Sequence, residues 1–124
     1  MELFIFSFLV TIMFLLSGMI KINTFQSTIK SLMKRTKLNN NMALIAIIIA
    51  IAIEVICPLL IMYDAYTKNE KNKKNAKYSC YILAVFTITA TLIYHYPPVG
   101  SNYYPFISNV TTLGALLLLA KQFN

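Results

Sequence analysis

The chain has 124 residues, 58% of them apolar and only 12% charged, and Lys and Arg outnumber Asp and Glu by 11 to 4 for a net charge of +7. That length allows one domain, and the balance excludes an ordinary soluble protein in favour of a single transmembrane domain. The basic residues fall in short runs between long apolar segments, which is unlike a nucleic-acid-binding face and suits anionic lipid headgroups instead.

A membrane-spanning helix needs roughly 20 mostly apolar residues, and four segments meet that length. Residues 3–20 are the first. Glu2 stands where a signal peptide would carry basic residues and no A-x-A-like site follows, so this segment is expected to persist as an uncleaved helix. From Lys21 to Asn41 the chain is too polar to span. Phe25, Ile29, Leu32 and Met33 nevertheless recur there at helical spacing opposite Lys30, Lys34, Arg35 and Lys37. The pattern predicts a short amphipathic helix lying in the interface, with Asn23 or Thr24 able to cap its start, and a solvated loop is the alternative.

Residues 42–63 are the second span. The connector 64–77 carries Lys68, Lys71, Lys73, Lys74 and Lys77 and is expected to meet solvent or headgroups. Residues 78–96 are the third span, closed by Pro97, and the turn residues Pro98, Gly100, Ser101 and Asn102 lead to the fourth, 105–120, with Pro105 in its first turn. Tyrosine rings prefer the headgroup level. All eight fall at span ends, with Tyr63, Tyr66, Tyr78 and Tyr81 at one surface and Tyr94, Tyr96, Tyr103 and Tyr104 at the other. Both termini then share a side. That side holds six basic residues (Lys68, Lys71, Lys73, Lys74, Lys77, Lys121) against five on the other (Lys21, Lys30, Lys34, Arg35, Lys37), which leaves orientation open.

Helices in lipid tend to meet through small and polar residues. At 100° per residue, each span gathers such residues on one arc. These are Ser7, Thr11, Gly18 and Lys21, then Ala43, Ala46, Ala50, Glu54 and Cys57, then Cys80, Ala84, Thr87, Thr91 and His95, then Ser108, Thr111, Thr112 and Ala115. Four such arcs predict an all-α integral membrane four-helix bundle with a semi-polar interior and the short amphipathic helix between helices one and two.

Glu54 is the leading candidate site residue, since an acidic group near mid-bilayer costs on the order of 2.5–3.5 kcal/mol to insert. Lys21 reads as a poor partner for it, because 12 residues of helical rise place that ammonium about 18 Å away at the far surface. Thr11 and Thr87 are nearer its level and Thr91 shares the arc, so a protonated Glu54 donating a hydrogen bond to a neighbouring helix is one reading. A proton, ligand or cofactor contact is the other. His95 stands alone at an interface, with a structural or capping role set against metal or haem binding. Asp64 ends the second span and is expected to be solvated. Pro58, one turn after Glu54, removes a helix donor and is expected to kink that span. Cys57 and Cys80, 23 residues apart without a C-x-x-C, read as packing residues, and no metal-ligand cluster is evident. Asn109-Val110-Thr111 matches a glycosylation sequon inside span four and reads as a chance match. No autonomous catalytic constellation stands out, which leans against an enzyme. The prevalence of Ile, Lys, Asn, Tyr and Phe, with A/T-rich codons, implies a low-GC genome.

Phe14-Leu15-Leu16-Ser17-Gly18-Met19-Ile20-Lys21 closing helix one, Ile53-Glu54-Val55-Ile56-Cys57-Pro58-Leu59-Leu60 in helix two, His95 closing helix three and Asn109 with Gly114 and Ala115 in helix four resemble the DoxX-like family of small four-helix membrane proteins. The resemblance implies a non-catalytic accessory subunit of a membrane complex, with other protein subunits as partners. It also implies Lys21, Glu54 and His95 as polar contacts, both termini on the cytoplasmic side, and a quinone as the one cofactor suggested by analogy. The alternative function is a structural membrane protein of a large assembly, such as a virion's internal membrane or an organellar complex. Small-molecule transport finds least support, since one carboxyl and no inverted repeat offer little of a pathway.

Overall fold

In lipid every backbone N–H and C=O group has to be satisfied within the chain, which leaves helices as the form open to apolar segments of this length. A computed structural model describes residues 2–67, 73–95 and 98–123. It contains α1 (Glu2–Asn23), α2 (Phe25–Thr36), α3 (Asn40–Thr67), α4 (Lys73–Tyr94), a 3-10 turn at Gly100–Asn102 and α5 (Tyr103–Lys121), with no strand among the described residues. Four helical stretches, at Glu2–Asn23, Asn40–Thr67, Lys73–Tyr94 and Gly100–Lys121, are long and apolar enough to cross a membrane. The fold is an all-α membrane bundle.

Its polarity runs inside out. Ser7, Thr11 and Gly18 of α1 are buried, as are Cys80, Ala84, Thr87 and Thr91 of α4. Leu9, Leu16 and Ile20 on α1, Ile45, Ile48, Ile49 and Leu59 on α3, and Val85 and Leu92 on α4 face outward. Water would expel that outer surface, but acyl chains accept it, so burial is decided by how closely helices approach. The helix faces predicted for α1, α3 and α4 are the inward ones. The prediction for α5 is corrected: Ser108 and Thr111 are exposed, and Leu116, Leu119 and Ala120 turn inward. Thr111 and Thr112 donate to the carbonyls of Ile107 and Ser108 at 3.2 and 3.0 Å, so each hydroxyl is satisfied on its own helix and imposes no need for a neighbour.

Two boundaries move. α3 continues to Thr67 and α4 begins at Lys73, so helix replaces much of the expected connector. The small residues Ala65 and Ala76, both fully buried, let α3 and α4 stay packed there. Lys68 and Lys71 lie outside the described residues, as do Tyr96 and Pro97. α3 runs on through Pro58, whose ring is buried.

The predicted amphipathic helix is α2, and its apolar stripe is covered by protein. Ile29 and Leu32 pack with Ala43 and Ile47 of α3, alongside Ile93 and Tyr94 of α4. Thr24 separates α2 from α1 with φ −113° and ψ 35°, but it does not cap α2: its hydroxyl donates backward to Ile20 O at 2.9 Å. The turn after α2 uses Lys37 at φ 61°, whose N–H closes onto Met33 O, and the Asn39 side chain then accepts from Met42 N at 2.8 Å, satisfying a free donor at the start of α3. α1 followed by α2 therefore lines α3 along most of its length, from the Phe4–Tyr66 ring contact at one end to Ala43 at the other.

Candidate functional site

α1 and α3 meet at Gly18. A Cβ built there would stand 2.9 Å from Val55 Cγ2 and 3.2 Å from Glu54 Cβ, so only glycine lets the helices come this close. The approach brings three polar side chains together. Lys21 Nζ donates to Glu54 Oε1 at 2.8 Å, to Glu54 Oε2 at 3.0 Å and to Ser17 Oγ at 2.8 Å, and the Ser17 hydroxyl lies 3.5 Å from Glu54 Oε1. Glu54 is 2% exposed, whereas 21% of the Lys21 side chain is accessible, so the anion is sealed and the cation reaches partway out. An ammonium group has three N–H donors. Each has an acceptor within the chain.

Lys21 is thus the partner of Glu54, contrary to the expectation from axial rise. That expectation placed the end of α1 level with the start of α3. Instead α2 occupies the level of α3's first half, which moves Lys21 up toward the middle of α3 and leaves its flexible stem to cover the remaining distance. Ser17 completes the cluster.

The threonines expected beside Glu54 do something else. Thr11 donates to Ser7 O at 2.7 Å and Thr87 to Leu83 O at 2.7 Å, each within its own helix. Thr91 donates to Thr87 O at 2.6 Å and accepts from Asn109 Nδ2 at 2.9 Å, an interhelical bond that ties α4 to α5. In membranes such bonds are worth about 0.6 kcal/mol on average and rarely exceed about 1.7. Asn109→Ala is expected to lower the free energy of unfolding in mixed detergent–SDS micelles by about that average. A loss well above about 2 kcal/mol would show that Asn109 does more than bond Thr91.

His95 is half-buried just past α4, with its Nδ1 buried and unpartnered. Asp64 is not solvated as predicted. Continuation of α3 to Thr67 places it a turn inside the helix, 3% exposed, both carboxylate oxygens without a hydrogen bond and the charge of Lys73 acting on it. Cys57 and Cys80 are free and buried. No group of three His, Cys, Asp or Glu side chains could hold a metal ion among the described residues. Lys30, Lys34, Arg35 and Lys37 are exposed on or just after α2, and Lys73, Lys74 and Lys77 lie in the first turns of α4. An apolar cleft of about 700 Å³, lined by Phe4, Ile56, Leu60, Tyr63 and Tyr66 among others, opens at the opposite end of α1 from Lys21.

The family model described as DoxX matches residues 3–96, about three quarters of the chain, from the start of α1 to just beyond α4. No curated protein and no solved structure matches the chain.

Proposed function

Since the chain belongs to the DoxX family of membrane proteins, we propose that it acts as a non-catalytic accessory subunit of a membrane complex, its bundle presenting an apolar surface on which a partner assembles. The observation that supports this reading is the closed Ser17–Lys21–Glu54 cluster. Its ammonium has no unused donor and its carboxylate is sealed, so the one charged group held at mid-helix serves to hold α1 on α3. A quinone does not fit there: its carbonyl oxygens would need a donor, and those of Lys21 are committed.

Cytoplasmic termini are part of the same proposal. Pairing with Glu54 withdraws Lys21 from the basic residues on its side, which leaves four there against six on the side of the termini.

The test is to tag the C-terminus, extract the protein from native membranes in mild detergent, and record both the co-purifying proteins and the visible spectrum. A stoichiometric partner is expected, retained when Lys21→Met and Glu54→Leu are combined. A folded chain that purifies with no partner would overturn the reading. Coat or scaffold proteins in a colourless sample would replace it with the structural-assembly alternative.

A further inference from the structure

Burial of Ile29 and Leu32 against α3 fixes the rotation of α2, and the opposite face carries Ser27, Lys30, Ser31, Lys34 and Arg35. These five residues line an open groove of about 640 Å³. Arg35 is held in place within it: its guanidinium lies 5.0 Å from the Tyr94 ring centroid and donates to Tyr94 O at 3.3 Å. A guanidinium has five N–H donors, so several stay available.

Among the described residues no acid faces this groove. Of its four acidic residues, Glu54 is bound to Lys21, Glu2 and Asp64 belong to the start of α1 and the end of α3 at the other end of the molecule, and Glu70 falls in the connector after α3. Three cations and two hydroxyls converging, with no described acid among them, form a surface complementary to an external anion. The neighbouring elements indicate which kind, because Ile22 at the end of α1 and Met42, Ile45 and Ile48 at the start of α3 are exposed and apolar. That surface faces acyl chains, so the anion nearest this groove is a lipid headgroup, whose own tails can lie along it.

We propose that the outer face of α2 is a binding site for the phosphate of an anionic phospholipid headgroup, held by Lys30, Lys34 and Arg35 with the Ser27 and Ser31 hydroxyls as further donors. The lipid's acyl chains lie along the exposed apolar residues of α1 and α3.

The experiment is native mass spectrometry of the full chain in neutral detergent, titrated with phosphatidylglycerol or with phosphatidylcholine of the same acyl chains. Phosphatidylglycerol is expected to be retained at least tenfold more tightly. Lys30→Gln combined with Lys34→Gln should remove that preference, and Lys74→Gln combined with Lys121→Gln, which deletes the same charge from exposed positions on the other side, should preserve it. Far-UV circular dichroism confirms that both variants keep their helices. Equal weakening by the two pairs would overturn the site in favour of diffuse attraction, as would equal retention of the two lipids. Displacement of phosphatidylglycerol by millimolar inorganic phosphate would overturn the lipid assignment in favour of a soluble anion.

Discussion

Lys21→Met is expected to lower the stability of the bundle by about 3–5 kcal/mol, the cost typical of removing one partner from a buried ion pair. Glu54→Gln should cost less, about 1.5–3 kcal/mol, in the range of a lost hydrogen bond to a charged group. The asymmetry follows from exposure. Without Lys21, the Glu54 carboxyl stays sealed at 2% exposure with only Ser17 in reach, whereas a Lys21 deprived of its carboxylate keeps a partly accessible stem and can turn its ammonium outward. Combining Lys21→Met with Glu54→Leu removes both charges and their desolvation, and should return stability to within about 1 kcal/mol of the parent or above it. The measurement is unfolding in mixed detergent–SDS micelles followed by circular dichroism, analysed as a double-mutant cycle. Additive losses in the double variant would show that the two groups are not coupled and would remove the basis for a closed cluster.

The second large effect is at Gly18. Gly18→Ala should destabilise by about 1–3 kcal/mol, as overpacking does, and Gly18→Leu by more, because α1 can no longer approach α3 closely enough for Lys21 to reach Glu54. The new methyl group would meet Val55 Cγ2 at 2.9 Å, and a β-branched side chain in a helix has little rotameric freedom to yield. Val55→Ala should therefore rescue Gly18→Ala in part, leaving the 3.2 Å contact with Glu54 Cβ. Gly114 is the control: nothing lies within 4 Å of a Cβ there, so Gly114→Ala should stabilise α5 by about 0.5–1 kcal/mol through reduced backbone freedom. A Gly18→Ala variant as stable as Gly114→Ala would mean that the α1–α3 approach is not held by the missing side chain.

Much of this architecture is legible from residue order. Apolar length marks the four spans, and the arcs of small and polar residues mark the inward faces of α1, α3 and α4. α5 shows where that logic stops. Ser108, Thr111 and Thr112 form an arc as convincing as the others, yet Thr111 and Thr112 bond carbonyls four residues back just as the buried Thr11 and Thr87 do, so such a hydroxyl is satisfied on either side of a helix. The connector 64–77 fails for a related reason: Lys and Asn signal solvent, but Ala65 and Ala76 pack and so carry the helices further than charge suggests.

Glu54 was identifiable from sequence because an acid amid apolar residues is costly wherever the helices go, and the basic face of α2 because its spacing is helical whatever it packs on. Its partner was not. The distance between Lys21 and Glu54 depends on the register of α1 against α3, and that register is set by α2 docking along the first half of α3 and by the close contact at Gly18. Those are relations between separate elements, which periodicity within a single helix cannot encode. The tertiary structure alone decided that the Glu54 carboxylate is met by a lysine, that Asp64 is covered, and that no acid among the described residues meets the cations of α2.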